Sequence, residues 1–184
     1  VCHQTYQDRN GKWLFPTEVT QDGDDLQHGE TGETVKAGRI EKMSKSKRNV
    51  VDPEVIIESY GADTARLFML SDSPPERDME WTESGVEGAS RFLKRVYRMA
   101  SDNTLPTIGT PQPTDGDGME LVRAAHKAID GLSRDIEGFR FNRAVAQLHT
   151  LANAIADTKG ESPSVAAARR FAVETLVQLI APLT

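Results

Sequence analysis

The chain has 184 residues, of which 38% are apolar and 27% are charged, and its formal net charge is −6. No apolar run approaches the roughly 18 residues that span a bilayer, so a membrane protein is not expected. The single cysteine, Cys2, excludes an internal disulfide and fits the reducing cytoplasm. A closed zinc site needs about four ligands, more than Cys2-His3 and its surroundings supply, so no metal site is predicted. The negative charge argues against nucleic-acid binding unless the cations are segregated.

The N-terminal part, residues 1–41, is predicted to be a small strand-rich segment. It is rich in Gly, Asp and Thr, with β-prone pieces at residues 12–15 and 34–40 and turns at residues 22–23 and 31–32. Five of its acidic residues crowd one stretch, whereas the cations of the chain cluster elsewhere. Net charge is therefore a poor guide to the partners of this chain.

Residues 42–48, called the cationic loop below, combine four cations, two hydroxyls and one apolar residue. The run reads Lys42, Met43, Ser44, Lys45, Ser46, Lys47, Arg48. Such a loop can close over a polyphosphate, because ammonium groups neutralise phosphate oxygens while hydroxyls and free backbone N–H groups donate hydrogen bonds. Taken alone, a short cluster of this kind is more often a solvated basic run or a targeting patch.

The rest of the chain is predicted to be helical, with one linker. Asp52 and Pro53 begin a helix that Gly61 ends, and a second helix runs from residue 63 to residue 70. Residues 73–75 break the chain, and a longer helix follows from Thr82 to about residue 101. The stretch 102–118 is rich in Pro, Gly, Asp and Thr and predicts a linker.

Three further helices are indicated by apolar residues spaced by three and four. Their predicted inward faces are Val122, Ala125, Ile129, Leu132 and Ile136; then Phe141, Val145, Leu148, Leu151 and Ile155; then Val165, Ala168, Ala172, Leu176 and Leu179. The sequence thus predicts a mainly α fold. A strand-rich segment (1–41) leads into a loop with connecting helices (42–75) and an up-and-down helical bundle (76–184).

Four cations share one face of the helix that begins near Thr82. Arg91, Lys94, Arg95 and Arg98, called the basic face below, lie about 180° from the apolar seam on a helical wheel. A solvated surface is one interpretation. No acid occurs from residue 88 to residue 101, however, whereas solubilising faces usually mix both signs.

Several of these segments resemble one family. Residues 42–46 resemble the second signature of class I aminoacyl-tRNA synthetases, whose mobile loop holds the ATP phosphates. Residues 61–68 resemble the segment that comes after that loop in the subgroup that activates branched aliphatic amino acids and methionine. Residues 73–76, 80–89 and 91–96 are similar to the bacterial type of leucyl-tRNA synthetase, and residues 141–145 to the opening of a helix in that family's anticodon-binding bundle.

The resemblance implies leucine activation by ATP and transfer of the leucyl group to tRNA(Leu), by an enzyme expected to be a monomer. Residues 42–46 would bind ATP, with Lys45 and then Lys42 contacting the phosphates as the catalytic groups. Met43 would pack the loop down, and Mg²⁺ would accompany the ATP phosphates. With this resemblance, the basic face is expected to contact tRNA phosphates.

The chain also departs from that family, because a His-x-Gly-His signature is missing. Its four histidines, His3, His28, His126 and His149, do not have that spacing. The editing domain and the first half of the catalytic domain are missing as well. The chain is therefore interpreted as a piece of a synthetase that is inactive alone, and the alternative is a stand-alone tRNA-binding module without catalysis.

Overall fold

The computed structural model of the chain describes residues 1–74 and 76–184. The strands are β1 (Cys2–Gln7), β2 (Trp13–Leu14), β3 (Val19–Asp22), β4 (Asp25–His28) and β5 (Lys36–Lys42). The helices are α1 (Pro53–Tyr60), α2 (Ala62–Ser71), α3 (Glu83–Ala100), α4 (Met119–Glu137), α5 (Phe141–Asp157) and α6 (Pro163–Ile180). The predicted fold class, mainly α with a strand-rich N-terminal segment, is confirmed.

The N-terminal strands form two small antiparallel sheets. In the first sheet β1 lies between β2 and β5, and in the second β3 pairs with β4. The two strands of the second sheet are joined by Gly23 and Asp24, and Gly23 has a φ of 61°, which glycine adopts without a steric penalty. The sequence predicted strands near β2 and β5 and both turns, but not β3, β4 or β1. The last of these is the central strand of its sheet.

Local capping signals set the helix starts where the sequence places them. The side chains of Asp52, Thr82 and Ser162 each accept a backbone N–H in the first turn of the following helix. Gly61 closes α1 with a φ of 86°. These predictions are confirmed. They could be made from the sequence because capping depends on a few neighbouring residues and not on the tertiary fold.

One apolar core runs through the helical part. Helices α4, α5 and α6 pack together, while α3 packs mainly on α2 and α6. The prediction that Ile129 faces inward is wrong, because 36% of this residue is exposed, whereas Ala128 is buried. The buried stripe of α4 contains Leu121, Ala125, Ala128, Leu132 and Asp135, so it is rotated by one position away from Ile129.

The strand-rich segment joins the helices through a short backbone ladder. The N–H of Cys2 donates to the carbonyl oxygen of Met79 at 2.7 Å, and the N–H of Trp81 donates to that of Cys2 at 2.8 Å. Trp81 is 9% exposed and meets the ring of Phe68 edge to face at 5.1 Å. Pro75, which belongs to the predicted chain break and domain boundary, lies outside the described residues.

Candidate phosphate-binding loop and basic helix face

The cationic loop begins where β5 ends at Lys42. The N–H of Met43 donates to the carbonyl oxygen of Val1 at 3.0 Å, and the side chain of Met43 packs against the core, as predicted. Ser44 caps a single 3₁₀ turn (Lys45–Lys47), because its Oγ accepts the N–H of Lys47 at 3.3 Å. The Oγ of exposed Ser46 lies 3.2 Å from that of Ser44. The loop is therefore a defined turn anchored on the edge of the sheet.

Asn49, which the sequence analysis did not assign to the site, lies buried behind this turn. Its Oδ1 accepts the N–H of Ser44 at 2.9 Å. Its Nδ2 lies 3.1 Å from the carbonyl oxygens of His3 and Glu41. Because the most distant of these partners belongs to β1, 46 residues away in sequence, no local pattern indicates the role of Asn49.

Two of the four cations of the loop are held by the protein itself. The ammonium group of Lys47 makes a short ion pair with Glu41 and lies 6.0 Å from the ring centroid of Trp13. The guanidinium of Arg48 lies 3.9 Å from a carboxylate oxygen of Glu18 and 4.9 Å from the ring centroid of Phe15. Arg48 also has a φ of 55°, a left-handed conformation in which its N–H donates to the carbonyl oxygen of Lys45.

The other two cations, Lys42 and Lys45, are exposed. Within residues 1–74 and 76–184, neither ammonium group makes an ion pair or a side-chain hydrogen bond. An exposed lysine keeps three free N–H donors and a full positive charge. Lys42 and Lys45 are thus the cations of this loop that remain available to an anionic ligand.

The basic face lies on α3, and three of its four residues are exposed: Arg91, Lys94 and Arg98. The side chain of Arg91 is 71% exposed and lies 3.4 Å from a carboxylate oxygen of Glu87, one turn earlier on the same helix. Such exposed pairs contribute little stability and are easily exchanged for another anion. These three cations can therefore reach an anionic partner without disturbing the fold.

Arg95, the fourth residue of the basic face, points toward α5 instead. Its Nη1 donates to Oδ1 of Asn153 at 2.8 Å, and its Nη2 donates to the carbonyl oxygen of Ala152 at 3.0 Å. The prediction that all four side chains point away from the packed helices is therefore wrong for Arg95. A 100° wheel places it on the cationic side, but its long side chain reaches across to the neighbouring helix.

The positive charge of the same arginine also affects His149 on α5. Its ring stacks on that of Phe92 at a centroid distance of 3.7 Å. Burial lowers the pKa of His149 below its usual value of 6.5, and the positive charge of Arg95 lowers it further. The neutral imidazole is thus the form that suits this helix interface.

A groove of about 1190 Å³ runs beside the basic face. One wall is α3, with Lys94, Tyr97 and Arg98, and the other wall is the junction of α1 and α2 around Gly61. Tyr97 is 73% exposed. The cations of α3 thus flank an open surface that contains an exposed aromatic ring.

Residues 31–82 match a family described as tRNA synthetases class I (I, L, M and V). A leucine–tRNA ligase of Rhodospirillum rubrum is 51% identical over 188 aligned residues, which cover 100% of this chain and 22% of that protein. The enzyme of the same name from Agrobacterium fabrum is 45% identical, and the aligned residues make up 23% of that protein. The chain spans about a fifth of the length of the curated relatives that it matches.

A solved structure is also similar to this fold. It is a crystal structure of the ternary complex of Agrobacterium radiobacter LeuRS with tRNA and LeuAMS. The TM-score is 0.65 at 28% sequence identity, and the match covers 77% of this chain and 19% of that one. The chain that contains the cationic loop and its sheet is therefore related along its whole length to one class of enzyme.

Proposed function

Because the chain belongs to the leucine–tRNA ligase family as a segment of about a fifth of such a protein, we propose that it supplies the phosphate-binding loop of that enzyme. The whole enzyme would activate leucine with ATP and transfer the leucyl group to tRNA(Leu). The observation that carries this proposal is the division of the cations in the loop. Lys42 and Lys45 are free, while Lys47 and Arg48 are paired within the chain.

In the first step the carboxylate of leucine attacks the α-phosphorus of ATP, and the bond to the bridging oxygen breaks. Negative charge then moves onto the pyrophosphate leaving group, so catalysis consists mainly of positioning and electrostatic stabilisation. Lys45 would contact the β- or γ-phosphate, and Lys42 would support it from the end of β5. The hydroxyls of Ser44 and Ser46 would donate hydrogen bonds to phosphate oxygens or order the turn.

Mg²⁺ would arrive with the ATP phosphates. Among the described residues, no group of three or more His, Cys, Asp or Glu side chains is arranged to hold a metal ion. Oxygen ligands from the substrate suit Mg²⁺, which commonly binds through phosphates and only one or two carboxylates. The chain would therefore act on the metal indirectly, through the lysines that share the same phosphates.

The exposed part of the basic face would contact tRNA phosphates. Arg91, Lys94 and Arg98 are exposed, and the open ring of Tyr97 lies among them. Cations interleaved with an aromatic ring suit RNA, because the charges follow the backbone and a ring can stack on an unpaired base. Arg95 would support this surface from below by tying α3 to α5.

In this proposal the chain has three parts: a strand-rich end of the catalytic region with a leucine-specific-type insertion (1–41), the loop with its connecting helices (42–75) and part of an anticodon-binding-type bundle (76–184). The enzyme would act as a monomer. Among the described helices, none combines the length and the apolar composition that a membrane span requires.

The proposal is tested by leucine-dependent exchange of pyrophosphate into ATP, measured on the complete polypeptide that carries this segment. A phosphate contact that strengthens in the transition state is worth roughly 3–4 kcal/mol. Lys45→Ala should therefore slow exchange by about 100- to 1000-fold, with little change in leucine binding. Near-normal exchange by this variant would reassign the loop to a solvated cationic run.

A further inference from the structure

The side chain of Asn49 connects three backbone segments around the cationic loop. It is 0% exposed, and its amide contacts the loop at Ser44, strand β1 at His3 and strand β5 at Glu41. A third carbonyl oxygen, that of Lys42, lies 3.5 Å from the same Nδ2. A single buried side chain thus joins the sheet to the turn that carries the free lysine.

We propose that Asn49 is a positioning residue for phosphate binding: it fixes the backbone of Ser44, so that Lys45 projects from a rigid turn. The inference rests on the proposed function of the loop. Ser44 begins the 3₁₀ turn and caps it through its Oγ. Because Lys45 is the first residue of that turn, the position of its backbone follows from that of Ser44.

An amide is the side chain that fits this position. It offers two N–H donors and one carbonyl acceptor, which is the combination that the carbonyl oxygens of His3 and Glu41 and the N–H of Ser44 require. A carboxylate at residue 49 would place an oxygen against two carbonyl oxygens, and alanine would remove the acceptor of the Ser44 N–H together with both bonds to the sheet.

Fixing the turn matters for rate because electrostatic stabilisation depends on charges that are already in place when the reaction occurs. A misplacement of about 1 Å from a residue outside the chemistry can cost on the order of 100-fold in rate. Asn49 does not reach the phosphates itself, since it is buried behind the turn. In this proposal its effect passes through the backbone of Ser44 to Lys45.

The test compares Asn49→Ala and Asn49→Ser with Thr5→Val in the complete ligase polypeptide. Thr5 is a matched control: it is 1% exposed, lies on β1, and its Oγ1 donates to the carbonyl oxygen of Arg39 on β5 at 2.8 Å, without touching the loop. Leucine-dependent pyrophosphate exchange gives kcat and the KM for ATP, and thermal unfolding reports any cost to folding.

Asn49→Ala should lower kcat by about tenfold or more, and Thr5→Val should leave it within about twofold at a similar loss of thermal stability. Asn49→Ser, which keeps one donor and one acceptor, should lie between them and carries the test if the alanine variant does not fold. Equal kcat values for the Asn49 variants and Thr5→Val would overturn the inference.

A double substitution separates this inference from the proposed function. If Asn49 acts through Lys45, adding Asn49→Ala to Lys45→Ala should slow exchange no further, because interacting residues are not additive. Fully multiplicative losses would show that Asn49 acts elsewhere and would contradict the inference alone. Normal exchange by Lys45→Ala itself would contradict the proposed function and the inference with it.

Discussion

The cationic loop and the basic face look alike in sequence but differ in structure. Each contains four cations within a span of at most eight residues. In the loop, two cations are paired with acids and aromatic rings of the strand-rich segment, and the other two have no such partner among the described residues. On the basic face, within the part of the chain that the structure describes, only Arg95 is held by hydrogen bonds to a neighbouring helix. The number of cations in a run therefore does not say how many can bind a ligand.

The difference arises from where the partners lie. Strand β5 and the segment that follows β2 lie beside the loop and supply Glu41 and Glu18, respectively. The basic face lies on the outside of α3, where Arg91 pairs with Glu87 of the same helix. The loop cations Lys47 and Arg48 therefore have acidic partners on adjoining segments, whereas Arg91 is paired within its own helix.

The largest effect is expected when the three exposed cations of α3 are removed together. Arg91→Gln, Lys94→Gln and Arg98→Gln in one variant should weaken tRNA binding. The slope of log affinity against log salt should become shallower by about 2–3, because each lost phosphate contact releases about 0.7–0.9 fewer counterions. Arg95→Gln is the matched control and should leave the slope nearly unchanged. Parallel slopes for the wild type and the triple variant would show that the basic face is only a solvated surface.

The second-largest effect is expected on stability, and it distinguishes Arg95 from Lys94. Arg95→Gln should lower the free energy of unfolding by about 1–2 kcal/mol, because two hydrogen bonds from a charged group to α5 are lost. Lys94→Gln should change it by less than about 0.5 kcal/mol, as exposed substitutions do. Urea unfolding of the chain measures both. Equal stabilities of the two variants would place Arg95 among the free cations.

The smallest effect is a pH dependence at the same interface. Burial and the charge of Arg95 lower the pKa of His149 in the folded chain. The unfolded chain therefore binds more protons just below pH 6.5, so the free energy of unfolding should decrease as the pH falls below that value. His149→Phe should make this decrease shallower, and His3, whose pKa is also lowered by burial, should account for the remainder.

An NMR titration of the His149 ring gives the control. Arg95→Gln should raise the pKa of His149 by removing a nearby positive charge, whereas Lys94→Gln should not. An unchanged pKa in the Arg95 variant would mean that the guanidinium does not lie against α5.

Much of the helical architecture was predictable because its signals are local. Caps at Asp52, Thr82 and Ser162 and apolar residues at helical spacing define five of the six described helices to within about two residues. Strand β1 was missed because its sequence, Cys2–Gln7, has no apolar alternation, and it is central only because β2 and β5 pair with it from elsewhere in the chain.

The candidate site, too, could be predicted only in its local features. Its residue types were visible in sequence, since four cations and two hydroxyls in seven residues are unusual. The pairing of Lys47 with Glu41, and the burial of Asn49 against His3, depend on how the sheet folds and were not visible. The division into free and paired cations is therefore a property of the fold, and it is what the proposed function depends on.

The most direct test of that division sets Lys45→Ala beside Lys47→Ala in the complete ligase polypeptide. Leucine-dependent pyrophosphate exchange should fall by about 100- to 1000-fold for Lys45→Ala and by no more than about tenfold for Lys47→Ala, since Lys45 is proposed to contact the phosphates whereas Lys47 is paired with Glu41. Thermal stability should show the reverse order, with a small loss for Lys47→Ala alone. Equal losses of exchange rate in the two variants, or a larger loss for Lys47→Ala, would contradict the account.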